Sequence, residues 1–144
     1  MFTIEGSELI NRPVDEVFAF VSDVRNDPRW HTDVLEARLS SGVDVGEGAT
    51  FTTKFRPVMG MTEGTGIITT YEPPHRVVLD ERMGRLAPTT TLTVEPSGTG
   101  SRVTRRVDME PFGLLRVMTP FMGGTMRKRN AGFLANLKRV LEQG

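Results

Sequence analysis

The sequence of residues 119–126 is TPFMGGTM, and it begins an amphipathic helix that we expect to continue to about Leu141. The apolar stripe of this helix consists of Phe121, Met122, Met126, Phe133, Leu137, Val140 and Leu141. A helix that closes over a sheet usually carries Leu, Ile and Val, whereas this stripe begins with Phe and Met. Because Met side chains are flexible, they suit an irregular or ligand-filled space. The apolar stripe of this helix therefore indicates that the function depends on what the protein encloses.

The segments that precede the helix are mostly typical of strands. A first strand is predicted at 2–10, a short helix at 13–22, and a second short helix or turn within 23–33. Alternating polarity and turn-forming residues predict six further strands at 35–41, 49–56, 62–71, 76–83, 89–95 and 102–110. Because the strand links are short, the sheet should be antiparallel, and only the long helix can cover its apolar face. The order predicts an α+β fold in which a helix packs on a curved sheet.

Composition limits the class of function. The 144 residues suit one domain, and 18 basic against 18 acidic side chains argue against nucleic acid or an anionic membrane as the main partner. The absence of cysteine excludes disulfides and a thiol nucleophile, and two distant histidines do not favour a metal site, so we expect no metal and no cofactor. No apolar run reaches the ~20 residues of a membrane span, and the N-terminus does not resemble a signal peptide. We expect a cytoplasmic monomer or homodimer without stable membrane insertion.

Two charged residues interrupt apolar strand faces. Arg105 shares a face with Val103, Val107 and Met109, and Glu81 shares a face with Val77, Leu79 and Met83. If these faces point inward, both charges point into the interior, where an unpaired charge is costly. They then bind polar groups of a ligand or act as an acid and an anchor. Alternatively, the two form a salt bridge with each other, or a bulge turns one of them outward.

Three further residues are candidates for a site. Trp30, the only tryptophan, is interpreted as a core or lid residue rather than a stacking platform. His31 is better placed than His75 for acid–base chemistry, although a surface position is the alternative. Tyr71 shares a strand face with 63, 65, 67 and 69, and that face is too polar to orient.

A set of large apolar side chains is expected to line a cavity, with plain core packing as the alternative. The set is Trp30, Phe51, Phe55, Met61, Met83, Met109, Phe112, Met118, Met122, Met126 and Phe133. Gly64 and Gly66 lie in a strand and not before a helix, so they do not form a dinucleotide fingerprint and instead permit close approach of the helix or a strand. The basic residues Arg116 and 127–129 form a solvated face or, alternatively, a surface for an anionic membrane or an acyl carrier.

The chain resembles the START-like helix-grip superfamily (SRPBCC), which includes polyketide cyclase/dehydrase-like proteins, lipid-transfer domains and pollen-allergen-like carriers. The resemblance is carried by INRPVDEVFAFVSD at 10–23, NDPRW at 26–30, VGEGA at 45–49, GTG at 64–66, YEPPHR at 71–76 and GSRVT at 100–104. It implies a seven-stranded antiparallel sheet that grips the C-terminal helix, with a ligand cavity between them. Fold similarity alone does not establish the function.

Three functions remain open. The first is binding of a hydrophobic small molecule of the lipid, polyketide or isoprenoid type. The second is a cyclase or dehydratase in which Arg105, Glu81, His31 and Tyr71 move protons or hold an enolate. The third is a protein-interaction or chaperone-cofactor-like module, which an exposed apolar helix face would support.

Overall fold

The computed structural model describes residues 1–42 and 44–143 and has the expected α+β architecture. Its strands are β1 (Phe2–Ile10), β2 (Val34–Leu39), β3 (Thr50–Val58), β4 (Met61–Glu72), β5 (Arg76–Arg82), β6 (Thr89–Ser97) and β7 (Gly100–Met109). Its helices are α1 (Val14–Val21), α2 (Asp27–Trp30) and α3 (Leu114–Gln143), and a 3-10 turn at Val24–Asn26 precedes α2. The seven strands and the two short helices after the first strand are therefore confirmed.

The strands form one antiparallel sheet in the order β1-β7-β6-β5-β4-β3-β2. Strands β2 to β7 follow each other as a meander, and the chain's first strand completes the sheet by pairing with the last. The pairing of β1 with β7 brings Gly6 opposite Arg105. An added Cβ at Gly6 would lie 3.1 Å from Asn130 Nδ2, so the glycine lets α3 lie close to the sheet.

The inner face of the sheet follows the alternation expected from the sequence. Val103 and Val107 of β7 and Val77 and Leu79 of β5 are buried. Because side chains two residues apart share a face, Arg105 and Glu81 also project inward. The structure thus places both charges on the inner face, and no bulge turns either of them outward.

Strand β4 contains a bulge that changes the face of Tyr71. Ile68 pairs with Leu79 and Thr70 pairs with Val78, which leaves Thr69 as an extra residue. The assignment of Tyr71 to the same face as residues 63–69 was therefore wrong. Its ring instead lies on the inner side, with its centroid 5.6 Å from that of Phe18 in α1.

Helix α3 runs without interruption through Pro120, so the prediction that a new helix begins at Thr119 was wrong. Proline has no N–H and cannot donate to the carbonyl four residues earlier, which belongs to Arg116. The hydroxyl of Thr119 donates to that carbonyl at 3.1 Å and satisfies it. Residues 114–118, which also have helical character in the sequence, therefore belong to the same continuous helix as the residues after Pro120.

One side of α3 is buried against the rest of the protein, chiefly against β1 and α2. The buried residues are Gly123, Asn130, Leu134, Leu137 and Leu141. Phe121 was expected in the buried stripe, but 84% of its surface is exposed. Nine residues separate it from Asn130, which is two and a half helical turns, so the two residues lie on opposite sides of α3.

Candidate functional site

Glu81 and Arg105 project from the sheet into the space between the sheet and α3. The hydroxyl of Thr90 donates to Glu81 Oε1 at 3.1 Å. Arg105 Nη1 donates to Asn130 Oδ1 at 2.7 Å, and Asn130 Nδ2 donates to the Arg105 carbonyl at 3.3 Å. Among the ion pairs of residues 1–42 and 44–143, none joins Glu81 to Arg105. The salt bridge between Glu81 and Arg105, which the sequence left open as an alternative, is therefore not formed.

Phe133 of α3 connects Arg105 to His31. The His31 ring stacks on Phe133 with 4.0 Å between centroids and 19° between planes. The Cζ atom of Arg105 lies 5.9 Å from the centroid of the same Phe133 ring. His31 is partly buried rather than a surface residue, and its Nδ1 atom is buried without a hydrogen-bond partner among the described residues. Three elements (β7, α3 and the end of α2) therefore meet at one aromatic ring.

Asp27 is a fourth ionisable residue of this region, and the sequence analysis gave it no role beyond its place in the NDPRW segment. It lies in the first turn of α2, and its main-chain carbonyl accepts the His31 N–H at 2.8 Å. Burial raises the pKa of Asp27 well above its ordinary value, the negative charge of Glu81 adds to this, and Arg105 opposes it. The one available signal was its spacing from His31, because residues four apart occupy one side of a helix.

The ionisable groups of this region are poorly solvated, and their pKa values shift as a consequence. Burial raises the pKa of Glu81, and the nearby Arg105 partly offsets that rise. Burial also lowers the pKa of Arg105. The pKa of His31 falls to about 3, first because of burial and then because of the positive charge of Arg105. Two carboxyl groups that hold protons more tightly than in water thus share one guanidinium, which is an arrangement suited to acid–base chemistry or to binding a polar group.

Tyr71, the remaining catalytic candidate, lies apart from these residues. It packs against Phe18, and no hydrogen bond or ion pair among the described residues connects it to Glu81, Arg105 or His31. The structure therefore brings together three of the four predicted polar residues, and it adds Asp27 and Asn130 to them.

The aromatic side chains predicted from β3 cover two glycines of β4. An added Cβ at Gly66 would lie 2.6 Å from Phe51 Cε2, and one at Gly64 would lie 3.2 Å from Phe55 Cε1. The glycines therefore admit aromatic rings of the neighbouring strand rather than the helix. Phe51 belongs to the packed core, as does Trp30, so the core interpretation of Trp30 agrees with the structure.

Several predicted lining residues lie toward the end of the sheet where α3 begins. Met83 is near Gly64, and Met61 is near Gly84 in the loop after β5. Phe112 lies under Arg85, whose Cζ atom is 4.4 Å from the ring centroid. Met109 is the last residue of β7 and pairs with Phe2 of β1. All four predicted residues are partly buried, which is consistent with the rim of an interior space.

The predicted residues of α3 divide between two sides of the helix. Met122, Met126 and Phe133 are partly buried and share one side, because they are four and seven residues apart. Since Phe133 contacts His31 and approaches Arg105, this side faces these polar residues, which we call the polar cluster (Asp27, His31, Glu81, Arg105 and Asn130). Met118 is 42% exposed and lies nearer the outward side, so it is not part of this lining.

An open groove of about 470 Å³ lies on the other face of the sheet. Exposed side chains of β3, β4 and β5 line it, among them Lys54, Glu63 and Arg82. It is therefore separated from the polar cluster by the thickness of the sheet.

Within residues 1–42 and 44–143, no three His, Asp or Glu side chains are grouped so that they could hold a metal ion. In the same part of the chain, none of the helices is sufficiently long and apolar to cross a membrane.

A long helix gripped by a curved antiparallel sheet, with polar groups between them, defines a START-like helix-grip protein. The family model described as polyketide cyclase / dehydrase and lipid transport matches residues 1–142. The chain therefore belongs to this family, which confirms the resemblance noted in the sequence. No curated protein has significant similarity to the chain.

Solved structures show the same fold at low sequence identity. A protein from Rhodobacter sphaeroides is 17% identical with a TM-score of 0.75, and the match covers 99% of this chain and 93% of that one. MLL2253 from Mesorhizobium loti is 14% identical with a TM-score of 0.74, covering 98% and 97%. DynU16, a protein in the dynemicin biosynthetic locus, is 16% identical with a TM-score of 0.73, and the match covers 99% of this chain but only 48% of DynU16.

Proposed function

We propose that the protein binds a hydrophobic small molecule, of the lipid, polyketide or isoprenoid type, that carries a polar group. The observation that carries this proposal is the cluster of Asp27, His31, Glu81 and Arg105 in a poorly solvated interior without mutual ion pairs. A buried polar group costs free energy of folding unless it has a partner, and His31 Nδ1 has none among the described residues. A few convergent polar groups within an apolar lining are typical of small-molecule sites.

Two features indicate which part of the ligand meets which part of the site. The partly buried side of α3 that carries Met122, Met126 and Phe133 offers deformable apolar contact to a hydrocarbon or ring system. Arg105 uses Nη1 for Asn130, and its remaining N–H groups can donate to a carboxylate, carbonyl or enolate oxygen of the ligand. The family description, which joins polyketide chemistry with lipid transport, supports a ligand of this amphiphilic kind.

The location of the site is tested with a pair of matched substitutions on one helix. The delipidated protein is titrated with a long-chain fatty acid and with the alcohol of the same length. Met126→Trp fills the proposed space and should weaken binding of both by about tenfold or more, which is a loss of about 1.4 kcal/mol. Met118→Trp, on the outward side of α3, should leave both affinities unchanged. Equal effects of the two substitutions, or no binding of either probe by the native protein, would contradict the proposal.

The polar anchor is tested by comparing the same two probes. Arg105→Gln removes a charged donor, so the carboxylate should bind about 10- to 100-fold more weakly while the alcohol changes little. Arg102→Gln, on the exposed face of the same strand, is the matched control. If Arg105→Gln lowers the two affinities equally, Arg105 supports the structure of the site and does not recognise the polar group.

A second function, that of a cyclase or dehydratase, is favoured by one specific observation. Glu81 and Asp27 have raised pKa values and lie near the cation of Arg105, which would suit a proton donor beside an anchor for an enolate. In this case, Glu81→Gln or Asp27→Asn should lower kcat on a poly-β-ketone thioester more than it weakens binding. Turnover that survives both substitutions would exclude these carboxyl groups from the chemistry.

A further inference from the structure

The first two turns of α3 carry an exposed apolar surface, which we name the apolar ridge. It consists of Leu114, Val117, Met118 and Phe121, which are 74%, 67%, 42% and 84% exposed. Their spacing of three, four and seven residues places them on one side of the helix, over a length of roughly 10 Å. Single exposed apolar residues are common, but a contiguous group that includes a nearly free phenylalanine indicates an interaction surface.

The apolar ridge is directed away from the interior. Leu114 lies nine residues before Gly123, and Phe121 lies nine residues before Asn130, so each is half a turn out of phase with a buried residue. The ridge therefore cannot contact a ligand held between the sheet and α3. This surface stands apart from the proposed binding site, and its partner must come from outside.

Charge identifies the chemistry of that partner. Helix α3 carries six basic side chains and one acidic one, Glu142, whereas the rest of the chain has twelve basic and seventeen acidic. The net charge of zero, which argued against an anionic membrane, therefore hides an excess of positive charge on α3 and of negative charge on the rest of the chain. Lys128 and Arg139 follow Phe121 by seven and eighteen residues, which is two and five turns, so both lie on the same outward side. Both are exposed.

We propose that the apolar ridge docks on the surface of an anionic lipid bilayer, with α3 lying in the plane of the interface. Phenylalanine, leucine and methionine enter the boundary between headgroups and acyl chains, while Lys128 and Arg139 contact anionic headgroups. A second copy of the chain fits less well, because pairing through the ridge would place two basic helices side by side, and their positive charges would repel each other. An acidic protein partner would need a groove for this convex ridge, whereas a bilayer accommodates it without one.

The test is flotation of the native protein with vesicles of phosphatidylcholine alone and of phosphatidylcholine with roughly a third phosphatidylglycerol. We expect binding to the anionic vesicles at low salt, weaker binding as the salt concentration rises, and little binding to the zwitterionic vesicles. Phe121→Ser should lower the partition coefficient by about tenfold. Lys128→Gln combined with Arg139→Gln should lower it to a similar extent.

Matched controls separate docking from folding. Leu35→Ser replaces a side chain that is 57% exposed on β2, and Arg102→Gln replaces an exposed cation on β7. Both controls should float like the native protein, and thermal unfolding should show that all variants remain folded.

Several results would overturn the proposal. Absence of flotation with the anionic vesicles at low salt is one, and equal loss in the ridge and control variants is another. Sedimentation that reveals a dimer dissociated by Phe121→Ser, without vesicle binding, would show that the ridge is a subunit interface. Binding to an acidic protein that depends on Phe121, again without vesicle binding, would support the protein-interaction function instead.

Discussion

The environment of His31 makes a quantitative prediction about stability at acidic pH. Burial and the nearby Arg105 cation lower the pKa of His31 from 6.5 to about 3 in the folded protein. Because the folded-state pKa is depressed, the unfolded chain takes up the proton first as the pH falls. The stability that neutral His31 contributes is therefore present above about pH 6.5 and is lost between there and about pH 3.

The size of the loss follows from linkage. Each pH unit below the unfolded-state pKa costs about 1.4 kcal/mol, so lowering the pH from about 7.5 to about 5 should cost about 2 kcal/mol through His31 alone. Asp27 and Glu81, whose pKa values are raised, change stability in the opposite direction over part of this range. The contribution of His31 must therefore be isolated by comparing variants.

The assay uses a His75→Gln background, in which His31 is the only histidine. NMR of its ring should show no titration near 6.5. Urea unfolding at the two pH values should lose about 2 kcal/mol more in this background than in the His31→Phe derivative, which keeps a flat ring against Phe133. A ring that titrates near 6.5, or equal pH dependence in the two proteins, would refute the reasoning.

Three further predictions concern stability and are measured by urea unfolding. Gly66→Ala should destabilise the protein by about 1–3 kcal/mol, because the new methyl group meets the Phe51 ring; no loss would mean that the ring moves aside freely. Glu81→Gln should become more stable relative to the native protein as the pH rises from about 4.5, because the native carboxyl group, whose pKa is raised, loses its contribution as it ionises; a constant difference would contradict this. Asn130→Ala should cost about 1–3 kcal/mol by leaving Arg105 without its partner, and a smaller loss would show that water replaces the amide.

Two control variants accompany these measurements. Gly124→Ala places a methyl group in open space within α3 and should stabilise by up to about 1 kcal/mol. Asn136→Ala removes only a neutral bond of 3.3 Å to the Trp30 carbonyl, so it should cost less than Asn130→Ala.

The sheet was predictable because its period of two is visible in the sequence. The alternation around Arg105 and Glu81 is uninterrupted, so their inward orientation follows from their neighbours. The predicted orientation of Tyr71 was wrong because one extra residue at Thr69 reverses the alternation of faces along β4. No turn-forming residue marks that position in the sequence.

The helix was less predictable because its apolar residues occupy more than one side. Phe121 and Met122 are adjacent in sequence, yet one faces solvent and the other is partly buried. In the middle of α3 the buried side is marked by Asn130, which packs against Gly6 and Arg105, and an asparagine does not mark a core in a sequence pattern. Asp27 was missed for a related reason, because its raised pKa depends on burial and on the charges of Glu81 and Arg105, which are distant in sequence.

The charge balance of the interior couples the proposed binding to protonation. Two carboxyl groups, Asp27 and Glu81, share the single cation of Arg105, and both have raised pKa values. A ligand carboxylate bound to Arg105 would compete for that cation and add a third negative charge, so it should raise both pKa values further. Binding of the acid should therefore take up protons from solution, whereas binding of the alcohol should not. Calorimetry in buffers of different ionisation enthalpy measures this uptake, and its absence for the acid would place the ligand's carboxylate away from Arg105.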